Sequence, residues 1–251
     1  MTIYLFGILQ GRFTMQRTYD YIVNHWTDWF PKLPSYQAVN YRLNQMGWHF
    51  ETLVDSLTLR LQNWPALRDV RLTDAFPIIL SKRPDSACVA KELADKGYCS
   101  TKKLYYYGLK LHMVGVDRLA TMPLPERMQF SKASTSDLTA LRQQLPYLPG
   151  GCLVGDKAYA SAPLQEQLVN QQQLELVTPV KRKKGQKRLD SAQKLFSGYV
   201  SGLRQPIECF FNWLHEHTQI QFGSKVRSAK GALLHCFGRL AAGLYILVFN
   251  P

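Results

Sequence analysis

The sequence predicts an α/β protein: a mixed β-sheet flanked by helices, preceded by an N-terminal helical region. Three observations predict it. Apolar residues recur at helical spacing through roughly the first 65 positions. From residue 69 the pattern changes to β-like runs with short turns. After residue 135, helical stretches alternate with short apolar runs, which is how a sheet with helices on its faces reads.

In the N-terminal part, Ser35 after Pro34 is a good helix cap, and Val39, Leu43 and Met46 follow at helical spacing. Gly47 is expected to end that helix. Phe50, Leu53, Val54 and Leu57 begin another, and "NWPAL" closes the region with a proline break. Trp26, Trp29 and Trp48 read as core residues and not as base-stacking platforms.

Three strands are expected next, over 69–80, 103–116 and 119–127, the last after a turn at Asp117-Arg118. Pro77 and Pro84 are expected to bound the first strand. "TSDLTALRQQLPYL" (135–148) opens with a Ser/Thr cap and reads as a helix. "GCLVGD" (151–156) is a short apolar strand of the kind buried on both faces. A helix over 161–172, with Pro163 early, and a strand over 174–181 follow. A basic loop precedes a helix from about 205 to 220 and a last apolar helix from about 229 to 249. Within it "LAAGLYILVF" is ten residues long, short of the about twenty of a membrane span, and reads as core.

The charge balance narrows the function. Lys and Arg number 31 against 18 Asp and Glu, a formal net charge of +13. Such a surface attracts polyanions, and nucleic acid is the foremost of these because each neutralised phosphate releases counterions. The run "KRKKGQKR" (181–188) puts six cations in eight residues, so Lys181, Arg182, Lys183, Lys184, Lys187 and Arg188 are candidate DNA-backbone contacts. The five cysteines include no C-x-x-C pair, which points to reduced thiols in a cytosolic protein. The start lacks the basic segment and the length of apolar run of a signal peptide.

Three carboxylates stand out. Asp74 falls in the first strand, Asp156 ends the strand that begins at Gly151, and Glu208 lies on the later helix. There Ile207, Phe210, Phe211 and Leu214 form an apolar stripe, and Glu208 sits about 100° from Ile207, at its edge. Functional groups gather at strand ends in sheets of this kind. Three crowded carboxylates repel one another unless a cation sits among them. Hard oxygen ligands suit Mg²⁺, and a pair of such ions serves phosphodiester chemistry. Each acid also has a plain structural role open to it: a cap, a turn residue, or a first-turn acid favoured by the helix dipole. His112 reads as a packed or hydrogen-bonded strand residue. His215 and His217 diverge by about 200° on a helix and make no metal pair.

The motifs "LTDAFPI", "YYGLKLH", "GDKAY" and "RQPIECFFNWL", in this order, resemble the bacterial insertion-sequence transposases of the DDE type. The likeness runs from about residue 26 to about 247. The resemblance implies an RNase H-like catalytic domain over 67–251, with 1–66 as an N-terminal helical region. It implies that Asp74, Asp156 and Glu208 bind Mg²⁺, or Mn²⁺ as a substitute, and that Arg204 and Lys157 lie near DNA phosphate. It further implies DNA as partner, a homodimer when two element ends are joined, no membrane, and a cytoplasmic site of action. Two features depart from that pattern. His215 stands seven residues after Glu208, where such transposases often carry Lys or Arg, and the N-terminal region is short. A truncated remnant that only binds DNA and an RNase H-like nuclease are the competing readings.

Overall fold

The structure is a computed structural model that describes the chain except residues 64–68, 86, 100–102, 119–120, 183–184 and 250–251. The N-terminal helices are α1 (Thr2–Leu9), α2 (Met15–His25), α3 (Tyr36–Asn44) and α4 (Gly47–Gln62). Ser35 caps α3, its hydroxyl accepting from the Ala38 N–H. Gly47 does not end a helix but opens α4. A Cβ there would stand 2.9 Å from the Leu233 Cβ, so glycine permits a close helix crossing. Trp29 and Trp48 correct the core assignment: they are 76% and 62% exposed, Trp29 meeting Trp26 edge-to-face and Trp48 lying tilted against His49. Residues 64–67 of the proline break lie outside the described residues, as does the boundary expected at 66.

Among the described residues the strands are β1 (Val70–Ser81), β2 (Asp95–Cys99), β3 (Leu104–Arg118), β4 (Thr121–Lys132), β5 (Gly151–Val154) and β6 (Leu174–Val177). They form one mixed sheet in the order β2-β3-β1-β5-β6, with β4 also paired to β3. β3 runs antiparallel to β1 on one side and to β2 and β4 on the other, while β5 is parallel to β1 and to β6. The remaining helices are α5 (Asp137–Gln144), α6 (Ala162–Gln172), α7 (Ser191–Thr218) and α8 (Ala229–Phe249). Ser136 caps α5 as expected. The fold is consistent with the RNase H-like class.

Several boundaries differ from the sequence reading. β2, five residues of mostly polar character, escapes detection because its partner supplies the pattern that its own sequence lacks. β4 extends to Lys132, and β6 stops at Val177, ahead of Pro179. Pro77 lies inside β1, not at its end. Ile79 bonds outward, to Gln221 and Gly223, so by strand alternation Pro77 turns its nitrogen to the same open edge, where no ladder bond is lost. The greatest difference is α7, which starts at Ser191 and not near 205. Asp190 and Gln193 form a reciprocal capping box there. Pro206 is accommodated because the carbonyl it leaves unbonded belongs to Gly202, an exposed residue open to water.

One sheet face meets α4, α7 and α8 in the larger core, built on Leu72, Ile78, Leu111 and Met113 with Phe50, Phe210 and Leu240. The other face carries Val114 and Leu153 against Leu141, Tyr159, Leu164 and Leu168 from α5, α6 and the turn between β5 and α6. Among the described residues α8 is the one helix long and apolar enough to cross a membrane, and 67% of its apolar window is buried inside the fold, as in a core helix.

Candidate active site

The three acids arrive from three elements. Asp74 sits midway along β1, Asp156 follows β5, and Glu208 lies on α7. The parallel register pairs Val70 with Cys152 and Leu72 with Val154. Continuing that offset brings Asp74 level with Asp156, where β5 has ended and the edge of β1 is open. Gly155 lets the chain turn away here: a Cβ would lie 2.9 Å from the Tyr159 ring and 3.1 Å from Thr73.

All three carboxylates line one cleft of about 420 Å³. Pro77, Tyr98, Cys99, Lys110, Asp137, Arg204, Asn212 and His215 also line it. A groove of about 440 Å³ between α4, β4 and α8 holds none of the residues singled out from sequence.

Each acid has a distinct environment. Asp74 is the most enclosed. One carboxylate oxygen accepts from the Ala75 N–H at 2.8 Å, and the other accepts from Arg204 Nη2 at 2.8 Å. Burial pushes its carboxyl up to about 6, with Asp156 adding to the rise and Arg204 and the Ala75 N–H opposing it. Asp156 accepts from the Ala158 N–H at 2.7 Å and caps the short 3-10 turn Lys157–Tyr159. The turn role and a place in the cleft thus coexist in one residue. Glu208 stands in the middle of α7, not in its first turn, so the helix dipole gives no account of it. Its side chain is 58% exposed, and its Oε1 lies 3.6 Å from the same Arg204 nitrogen.

Arg204 is therefore the cation among the acids. Its spacing of four residues from Glu208 puts both on one face of α7, turned toward Asp74. The donor chemistry suits a hard divalent cation: three carboxylates from separate elements, one with its proton affinity raised by burial and by an acidic neighbour. Among the described residues, no group of three or more acidic, His or Cys side chains already stands in ligating geometry. The hydrogen bond from Arg204 occupies one of the two Asp74 carboxylate oxygens.

The other residues singled out from sequence lie apart. Lys157 is exposed and does not line the cleft. Lys181, Arg182, Lys187 and Arg188 are exposed on the loop before α7, which Arg182 ties across by donating to the Lys187 carbonyl at 3.2 Å. Lys183 and Lys184 lie outside the described residues. His112 is 2% exposed, bonds Ser131 at 2.8 Å, and is pushed down to about 4 by burial. Sequence reasoning missed Lys110 and Asp137 as cleft residues. They pair at 3.0 Å, with Lys110 also donating to the Thr135 carbonyl. The "YYGLKLH" motif contained that lysine.

Comparison with curated proteins and with solved structures brings no match. The family described as Transposase DDE domain matches residues 68–229, from the start of β1 to the start of α8. That match spans well over half of the chain and includes all three acids, so the chain belongs to the family of DDE transposase domains, enzymes that act on DNA with divalent metals.

Proposed function

We propose that the protein is the transposase of an insertion sequence, which cuts DNA strands at the element ends and joins them to target DNA with Mg²⁺. The observation that carries this reading is the meeting of Asp74, Asp156 and Glu208 in one cleft, from three elements far apart in the chain. Bound there, the metal ions would activate the attacking water or 3′-hydroxyl and stabilise the leaving oxygen.

In this reading the three carboxylates hold the metals, and Mn²⁺ would substitute. Arg204 keeps Asp74 neutralised in their absence and turns to a phosphate oxygen when DNA enters. Lys110, anchored by Asp137 and the Thr135 carbonyl, supplies a second cation in the cleft lining. The exposed basic residues Lys157, Lys181, Arg182, Lys187 and Arg188, with Lys183 and Lys184, hold the DNA backbone away from the cleft. Residues 67–251 form the catalytic domain and 1–66 the helical part before it. Two copies would meet when two ends are joined, in the bacterial cytoplasm.

The bond from Arg204 to Asp74 also favours a second reading, a protein that binds DNA without cutting it. One experiment separates the two. Purified protein is incubated with DNA carrying inverted element ends, in Mg²⁺, Mn²⁺, Ca²⁺ or EDTA. Cleavage in the first two alone supports the proposal. Cleavage in EDTA, or binding without cleavage in every buffer, overturns it.

A further inference from the structure

We propose that Tyr98 and Tyr105 form a stacking platform for unpaired nucleobases at the rim of the catalytic cleft. The inference rests on the reading that this cleft handles DNA.

The two residues are register partners in the β2–β3 pair and project from the same face. Their ring centres are 4.8 Å apart, and the residues are 49% and 57% exposed. Tyr98 lines the cleft that holds the three acids. The phenyl and phenol rings that line the cleft beside it, Phe76, Tyr106 and Phe211, are at most 8% exposed, so among these Tyr98 is the one a ligand can reach. The Lys96 ammonium stands 5.2 Å from the Tyr105 ring centre and is paired with Asp85 at 2.6 Å, so it brings no free positive charge to the platform.

A cross-strand tyrosine pair can serve merely to stabilise a hairpin. That role does not require one ring to border the cleft that holds the three acids. Exposed rings at the edge of a cleft in a strongly basic protein match the pattern that binds single-stranded nucleic acid. Phosphates meet the cleft cations Lys110 and Arg204, and bases meet the rings. A duplex hides its base faces, so the occupant is a stretch of unpaired strand near the phosphate being cut.

The test uses fluorescein-labelled oligo(dT) and an abasic strand of equal length, with binding measured by anisotropy in EDTA. Wild type is expected to prefer oligo(dT) by roughly 5- to 150-fold, the range for stacking one base on an aromatic ring. The double variant Tyr98→Ala/Tyr105→Ala should bind both strands alike, at the wild-type affinity for the abasic strand, which also reports that it is folded. Tyr98→Phe/Tyr105→Phe should keep the preference. Equal affinity of wild type for the two strands overturns the platform, as does a preference that survives in the Ala variant. Because no cleavage is read, the outcome is separable from the proposed function. A protein that cuts DNA without preferring bases loses only the platform, and one that prefers bases without cutting loses only the transposase reading.

Discussion

Arg204 donates to the Asp74 carboxylate at 2.8 Å, linking the long helix α7 to the central strand β1 at the point where the three acids converge. Both side chains are largely enclosed, at 12% and 20% exposure, so solvent screens the pair only weakly. Arg204 therefore serves as a built-in counter-ion, lowering the cost of ionised Asp74 against the stronger rise that burial causes.

Removing that counter-ion should cost stability in a pH-dependent way. In Arg204→Gln, ionised Asp74 loses its cation, and we expect a loss of about 1–3 kcal/mol at pH 7.5. Near pH 5 the carboxyl, already at about 6 with arginine present and higher without it, is protonated in the folded state. The deficit should then shrink. Urea unfolding at the two pH values checks this, and a deficit independent of pH would show that Arg204 acts through packing and not charge.

Much of this site is legible in the amino-acid sequence, because its parts obey local rules. Asp156 follows a wholly apolar strand, and Glu208 borders an apolar stripe. What the sequence hides depends on partners distant along the chain. The cleft place of Lys110 comes from Asp137, 27 residues away, and β2 takes its regularity from β3. The first half of α7 is obscured for another reason. Gly198, Gly202 and Pro206 argue against a helix, although Asp190 and Gln193 carry a readable capping signal. Trp29 and Trp48 show the converse limit, since large apolar side chains stay exposed when the helices carrying them lie at the surface.

The basic loop should act on DNA affinity alone. Lys181, Arg182, Lys187 and Arg188 are exposed and outside the cleft. Replacing all four with Ala should weaken binding to unrelated duplexes alike and flatten the salt dependence by about 0.9 of a slope unit for each phosphate no longer neutralised. The urea midpoint should stay within the small range of surface substitutions. An unchanged salt slope would mean that the loop carries solvated charge only.

Acid should unfold the protein partly through His235. Its Nε2 donates to the Ile220 carbonyl at 2.8 Å, and its Nδ1 accepts from Arg239 at 3.1 Å. Both nitrogens are thus committed to the neutral ring. Burial, followed by Arg239, pushes it down to about 3. The unfolded chain binds a proton near 6.5, so the stability from neutral His235 is full above that value. It is lost as pH falls toward 3, by up to about 1.4 kcal/mol per unit. His112, pushed down to about 4, adds in the same direction. Asp74 opposes them, because its raised value makes its contribution fall as pH rises through about 6. Gln offers a similar donor and acceptor without a charge change, so His235→Gln should flatten the decline between pH 6.5 and pH 4 in urea unfolding. An unaltered decline would assign it to other groups.

The triad gives the sharpest test. Asp74→Asn, Asp156→Asn and Glu208→Gln each preserve shape and remove one negative charge. If the three acids hold the metals together, each change alone should lower strand cleavage by on the order of a thousandfold or more, and combining them should add little, since groups acting as one unit fail together. Affinity for DNA should hold or rise, because repulsion between carboxylates and phosphates falls. Stability separates this from misfolding. Glu208 is the most exposed of the three, so its variant should unfold at the wild-type urea concentration. At pH 7.5 without metal, Asp74→Asn should be at least as stable as wild type, because it removes a carboxylate that burial has made costly to ionise. Glu208→Gln is decisive. If it cuts DNA at near the wild-type rate while Asp156→Asn is inert, the third ligand lies elsewhere. Asp137, the remaining acid of the cleft, is then the residue to replace next.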